Sequence, residues 1–241
     1  MLELPINKPT IKSTKKISQR LQQINNMVTD HYQHIWDCCC DHGYLGLTLL
    51  ERQAAQTIHF VDIEADILNQ LHDVLLKRYP LQEQRGCWQV HCADVSALPI
   101  AKVCNNPQTD NHLIIIAGVG GELTIDLMTE ISNKFTQFNL EFLLCPVHHN
   151  FKVREYLRKN KFGLIDEKLV IENKRGYEIL HVAQHAVQEI TTVGCAMWDF
   201  SLTTHVTYLH KTILHYQRLQ KNPQQDVQHI IKQYQKLLSS E

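Results

Sequence analysis

The chain has 241 residues, 24 Lys and Arg against 25 Asp and Glu, and a hydrophobic fraction of 44%. That composition fits a globular protein with a real core plus a small appendage. Net charge −1 argues against indiscriminate nucleic-acid binding. No apolar run reaches the roughly 18 to 20 residues that span a bilayer. The first residues, Met1-Leu2-Glu3-Leu4-Pro5, lack the basic and apolar segments of a secretion signal. Eight cysteines without such a signal are expected to be free thiols in a reducing, cytoplasmic setting. Charge is uneven. Residues 1–20 carry Lys8, Lys12, Lys15, Lys16 and Arg20 against Glu3, and residues 201–241 carry Lys211, Arg218, Lys221, Lys232 and Lys236 against Asp226 and Glu241.

Ile17, Leu21, Ile24 and Val28 recur at helical spacing, with Ser13 or Thr14 as a cap. Strands and helices then alternate. Strands are expected at 35–39, 57–61, 87–92, 112–117 and 140–145. Helices are expected from 45 to 52, along the stripe Ile67, Leu68, Leu71, Val74 and Leu75, from 123 to 131, and from 150 to 159. His112-Leu113-Ile114-Ile115-Ile116-Ala117 is apolar on both faces, which suits the middle of a covered parallel sheet. Two further strands, 164–171 and 177–183, are joined by a link too short for a helical crossover, so they should pair antiparallel. The fold class expected is α/β, a doubly wound, mostly parallel seven-stranded sheet, Rossmann-like, over residues 1–186.

Residues 187–241 change character. Leu202, Val206, Leu209, Ile213 and Tyr216 form a narrow seam, Asn222-Pro223 breaks it, and Val227, Ile230, Tyr234 and Leu237 resume it. An antiparallel helical hairpin follows, serving either as a basic docking arm or as a clamp on the main domain.

Acids close the first three strands. Asp37 and Asp41 follow the first, Asp62 with Ile63 the second, and Asp94 with Val95 the third. Carboxyl ends of strands are where open α/β sheets bind ligands. Asp62 is placed to accept from ribose hydroxyls and Asp94 from an adenine amino group. Gly43, and Gly118 and Gly120 after Ala117, permit close backbone approach. Cys38-Cys39-Cys40 supplies none of the glycines that a pyrophosphate loop needs, so a phosphate-free nucleoside cofactor, S-adenosyl-L-methionine, fits better than a dinucleotide. The cysteines, with Asp41, His42, His91, Cys92, His148 and His149, also suggest a metal. Consecutive strand residues point to opposite faces and no Cys-x-x-Cys occurs, so no metal is expected.

Several strings carry a resemblance: Ser18-Gln19-Arg20-Leu21, Asp37 with Asp41-His42-Gly43-Tyr44-Leu45, Ile116-Ala117-Gly118-Val119-Gly120-Gly121, Val153-Arg154-Glu155 after Pro146, and Tyr177-Glu178-Ile179. From about Ile17 onward the chain resembles the bacterial tRNA (adenine-22-N1)-methyltransferase family, a class I S-adenosylmethionine-dependent group. The resemblance implies tRNA as partner; the lack of a long apolar run argues against a membrane partner, and a monomer is the working expectation although the sequence does not fix the oligomeric state. The resemblance also implies Asp41, His42 and Tyr44 at the acceptor base, and Pro146, His148, His149, Arg20, Lys211 and Arg218 as RNA contacts. The chain departs from the family at Cys39, where a glycine is usual, and at Cys145-Pro146-Val147, where Gln-Pro-Asn is usual. Alternatives from the residues alone are methyl transfer to another RNA or a small molecule, and a non-catalytic RNA-binding module.

Overall fold

The computed structural model describes residues 17–79 and 87–239. Seven strands, β1 (Tyr32–Cys38), β2 (Ala55–Asp62), β3 (Cys87–Cys92), β4 (Asn111–Ala117), β5 (Asn139–Cys145), β6 (Gly163–Glu172) and β7 (Arg175–Ala183), form one sheet in the order β3-β2-β1-β4-β5-β7-β6. Pairing is parallel from β3 to β5 and antiparallel at β5–β7 and β6–β7. The doubly wound sheet closed by an antiparallel hairpin is therefore as the sequence predicts. Leu113 to Ile116 are wholly buried, as expected of a β-branched central strand covered on both faces.

Chain order reverses between β1 and β4, which makes a crevice at their carboxyl ends. Helices α2 (Tyr44–Glu51), α3 (Ala65–Arg78) and α5 (Gly121–Lys134) start immediately after β1, β2 and β4, so each short loop is held at that edge. A four-residue helix α4 (Ile100–Val103) and a 3-10 turn at Val95–Ala97 are too short to leave a periodic signal. Helix α1 (Gln19–Met27) is capped by Ser18, whose Oγ accepts from Leu21 N–H at 3.2 Å. The expected caps Ser13 and Thr14 lie outside the described residues, as do the basic residues Lys8 to Lys16.

Helix α6 (Asn150–Lys159) leads into the β6–β7 hairpin. Arg154 on α6 is wholly buried between Glu167 on β6 and Glu178 on β7, with contacts of 2.7 and 2.8 Å. Glu167 Oε1 also accepts from the Cys195 and Ala196 N–H groups at 2.6 and 2.7 Å. Tyr208 donates its hydroxyl to Glu178 at 2.9 Å.

Tyr208 lies on α7 (Thr203–Leu219), which pairs with α8 (Gln228–Leu237). Leu209, Ile213, Ile230, Ile231 and Tyr234 bury together around Phe151 of α6. The expected seam is thus present, except that Leu202 is 46% exposed and His205 is buried in the first turn instead. No described helix is long and apolar enough to cross a membrane.

Candidate active site

The turn after β1 makes the site. Cys39 (φ 55°), Asp41 (φ 49°) and Gly43 (φ 67°) adopt left-handed backbone, which folds the chain tightly into α2. Such a conformation costs a non-glycine residue about 1 to 2 kcal/mol, and the strain falls on Cys39, the position where glycine is usual in the resembling family. Asp37 is buried beneath this turn, and its Oδ2 accepts from Gly46 N–H at 2.8 Å. Gly46 is obligatory there, because a Cβ would meet the Phe60 ring at 2.3 Å. Burial pushes the Asp37 carboxyl up to about 7; the Gly46 hydrogen bond opposes this and the nearby Asp62 charge adds to it.

Asp62, at the tip of β2, knits two strand ends. Its Oδ2 accepts from Asp41 N–H at 2.9 Å, and its Oδ1 from Ile63 and Glu64 N–H at 2.8 and 3.2 Å. A carboxylate offers about four acceptor positions, so one remains on Oδ2. Asp94 follows β3 and is exposed. Its Oδ1 accepts from Ser96 N–H at 2.8 Å, and this hydrogen bonding to Ser96 holds its carboxyl below the usual range. The acids after the first three strands therefore line up along one edge of the sheet.

The loop after β4 faces the loop after β5. Gly118 (φ 90°) donates to Cys145 O at 3.1 Å, Val147 N–H to Val119 O at 2.9 Å, and Gly121 N–H to His148 O at 3.1 Å. A Cβ on Gly120 would strike the His148 ring at 2.5 Å, so that glycine admits the histidine. A cavity of about 240 Å³ lies between the β1 and β4 loops, lined by Arg20, Asp37, Cys39, Asp41, His42, Tyr44 and Ala117 to Val119, among others. Arg20, expected as an RNA contact, is here on the wall of this cavity. Its guanidinium lies 5.0 Å from the Tyr177 ring centroid and within 3.7 Å of the Cβ position at Gly118.

His42 Nε2 is 3.7 Å from Asp41 Oδ1, and its ring centroid is 5.8 Å from that of Tyr44. Both Asp41 and His42 face solvent at the cavity mouth. Pro146, expected as an RNA contact, is buried and cannot present its ring to a ligand, whereas Val147 beside it is exposed.

A second cavity, about 880 Å³, opens beyond the Pro146 loop. His148, His149, Lys152, Lys174, Arg175 and Lys211 lie on its walls, and the β6–β7 turn and the helical hairpin complete it. Val147, hydrogen-bonded to Val119 of the first cavity, is on its lining. Arg218 is exposed on α7 and does not line it.

A family model for a methyltransferase domain matches residues 17–180. The chain belongs to the methyltransferase-domain family. A Mycoplasma pneumoniae protein provisionally named a tRNA methyltransferase is 23% identical over 192 residues, covering 77% of this chain and 83% of its own. Streptococcus pneumoniae Sp1610, solved with S-adenosyl-L-methionine, superposes with a TM-score of 0.71 at 20% identity, covering 92% of this chain and 100% of its own. The Bacillus subtilis m1A22 tRNA methyltransferase TrmK gives 0.63 at 21%, covering 93% and 94%. At such identities these structures establish the shared fold.

Several site residues escape sequence reasoning. Cys40 lines the methyltransferase's cavity but reads as a plain strand thiol. Gly46 gives no signal within an apolar helix pattern. Glu122 contacts both His148 and His149, and its only trace in the sequence is an acid opening a helix after two glycines.

Proposed function

We propose that this methyltransferase uses S-adenosyl-L-methionine to methylate N1 of an adenine in tRNA, at position 22 by analogy with the m1A22 enzymes it resembles. The observation that carries the reading is the alignment of Asp37, Asp41, Asp62 and Asp94 at adjacent strand tips, with Arg20 on the wall of the cavity that Asp37 and Asp41 line and Asp62 and Asp94 just beyond that lining. That set suits a ligand with two positive centres and one carboxylate. The free acceptor position on Asp62 Oδ2 suits a ribose hydroxyl. Asp94, exposed beside β3, suits an adenine amino group. The bound cofactor supplies an electrophilic methyl on a sulfonium.

The protein's part is to bind, orient and neutralise. Holding the nucleophile about 3 to 3.5 Å from the methyl provides much of the acceleration. N1 lies on the Watson–Crick edge, so a paired base must leave the helix. Methylation makes the base a cation, and Asp41, at the cavity mouth, supplies the compensating charge. His42 and Tyr44 shape the acceptor side. The basic walls around Lys152, Lys174, Arg175 and Lys211 offer phosphate contacts.

One observation favours a second acceptor. Cys145 is buried and Val147 is 41% exposed, so neither presents the amide side chains that the family usually places there. Another RNA nucleotide is the alternative.

The test has two parts. Calorimetry with S-adenosylmethionine should show binding to the wild type and about 100-fold weaker binding or none to Asp62→Ala, since a carboxylate hydrogen-bonded to ligand is worth about 1.5 to 3 kcal/mol and the variant also frees the Asp41 loop. Unchanged affinity would remove Asp62 from the cofactor site. Unmodified tRNA incubated with enzyme and cofactor should then yield 1-methyladenosine by nucleoside mass spectrometry. A different methylated nucleoside selects the alternative, and no methylation rejects both.

A further inference from the structure

Outside the cofactor cavity, one cluster of side chains has the chemistry of a metal site. Glu122, in the first turn of α5, faces two consecutive histidines in the loop before α6. One nitrogen of each ring and a carboxylate oxygen lie within 4.8 Å of one another. His148 Nδ1 is 3.9 Å from Glu122 Oε2, and His149 Nδ1 is hydrogen-bonded to the same oxygen. Ligands about 2.0 to 2.1 Å from a tetrahedral ion lie roughly 3.3 Å apart. The His148 separation exceeds that value by about 0.6 Å, which small rotations of the half-exposed rings remove.

Neighbouring residues in extended chain point to opposite sides, and the sequence gives no reason to expect these two rings to meet. They converge because His149 adopts left-handed backbone (φ 61°, ψ 32°). The ring centroids are 4.3 Å apart and the planes are edge to face. Strained backbone at a non-glycine residue persists where something over-determines it. Gly120 and Gly121 leave room beneath the histidines that any Cβ would fill. Lys152 Nζ holds the other carboxylate oxygen, Oε1, at 3.0 Å, and so orients Oε2 toward the rings. The hydrogen bonds from His149 and Lys152 hold the Glu122 carboxyl down to about 2, so it is an anion at any working pH.

We propose that Glu122, His148 and His149 bind one divalent transition-metal ion of the zinc type, leaving at least one coordination position open to water. Two imidazoles and one carboxylate select zinc, cobalt, nickel or copper over magnesium and calcium, which prefer oxygen alone. Two histidines and a glutamate are also the ligand set of catalytic zinc sites that keep a fourth position free. None of the cysteines takes part: of the candidates weighed from the sequence only His148 and His149 enter, joined by Glu122, which that reading did not include. An ion here would add its charge to the wall that holds Lys174, Arg175 and Lys211. The proposal needs neither the methyl donor nor RNA.

The test is a titration of tag-free, metal-stripped, full-length protein with cobalt(II) at neutral pH, followed by visible absorption. The expected result is one equivalent bound, without the near-ultraviolet thiolate-to-cobalt band that cysteine ligation produces. Glu122→Gln and His149→Gln should each weaken binding by about 10-fold or more, while Cys39→Ser and Cys92→Ser leave it unchanged. The three side chains are 45 to 55% exposed, so the variants should fold, and melting curves check this. No binding, binding with a thiolate band, or equal affinity in the Glu122 and His149 variants would each overturn the site.

Discussion

Arg154 Nε donates to Glu178 Oε2 at 2.8 Å with both side chains entirely withdrawn from solvent. Glu178 in turn accepts from Tyr208 of the helical hairpin, and Glu167, the other partner of Arg154, accepts from the backbone at 195 and 196. One buried cation therefore joins α6, the β6–β7 hairpin and the C-terminal helices. Removing it leaves two uncompensated carboxylates, and breaking a buried pair in this way costs about 3 to 5 kcal/mol. Arg154→Ala should be destabilised by that amount in urea denaturation. Tyr208→Phe, which deletes one neutral donor, should lose only about 1 to 2 kcal/mol.

Truncation at residue 188 should fail for the same reason. It removes the Cys195 and Ala196 N–H groups from Glu167 and the Tyr208 hydroxyl from Glu178, leaving Arg154 as their remaining partner, and exposes Phe151, against which five buried apolar side chains of α7 and α8 pack. Each such side chain contributes about 1.5 to 3 kcal/mol, and a domain's whole stability is about 5 to 15. The shortened chain is expected in inclusion bodies or as a molten species by near-ultraviolet circular dichroism.

A cleaner probe of RNA contact is charge reversal on the exposed face of α7. Lys211→Glu and Arg218→Glu should weaken tRNA affinity and each lower the slope of log affinity against log salt by about 1. Cofactor affinity should not move. Unchanged salt dependence would assign the hairpin a bracing role alone.

Stability should peak near pH 6 to 7. Asp37 keeps its proton to about 7 when folded against 3.8 when free. The stabilisation that this represents is complete below the free value and is lost as pH rises to about 7, at roughly 1.4 kcal/mol per pH unit. His59 and His112 shift the opposite way, to about 2 and 4 from 6.5, because burial penalises the charged rings. Their contribution is complete above 6.5 and each loses up to about 1.4 kcal/mol per unit as pH falls. Two histidines outweigh one aspartate on the acid side. Asp37→Asn should therefore stabilise the cofactor-free protein at both pH 5 and pH 8, and by clearly more at pH 8, because the loss accumulates between 3.8 and about 7. Calorimetric melting at both pH values tests the sign.

The strain at Cys39 gives a substitution pair. Cys39→Gly relieves about 1 to 2 kcal/mol of left-handed strain against about 0.5 to 1 kcal/mol of glycine entropy, for a net gain of up to about 1.5 kcal/mol. Cys39→Val, β-branched at φ 55°, should lose stability. Chemical denaturation of the two variants should give shifts of opposite sign.

The parallel sheet was legible because its strands are apolar runs and its helices carry periodic stripes, both local signals. The strand-tip acids Asp37, Asp62 and Asp94 were legible because position after a strand is itself readable. What stayed hidden depends on distant partners. Arg154 and Glu178 stand in the sequence only as members of strings that carry the family resemblance, Glu167 carries no signal at all, and only tertiary packing buries the three together. Arg20 reads as part of a basic terminus, yet α1 carries it to the cavity wall beside Tyr177. The pairing of His148 with His149 depends on a single left-handed residue, for which histidine itself gives no warning. Leu202, apolar and in register, nevertheless lies in solvent because α7 begins only at Thr203.

The loops after β4 and β5 are fastened to each other by amide-to-carbonyl links at Gly118, Val147 and Gly121. Such links do not depend on which side chains hang from positions 145 and 147. The amide pair usual in the resembling family and the cysteine and valine found here are thus interchangeable without moving the β4 loop out of register. The fold lets preference for one target drift toward another while the rest of the catalytic apparatus stands still.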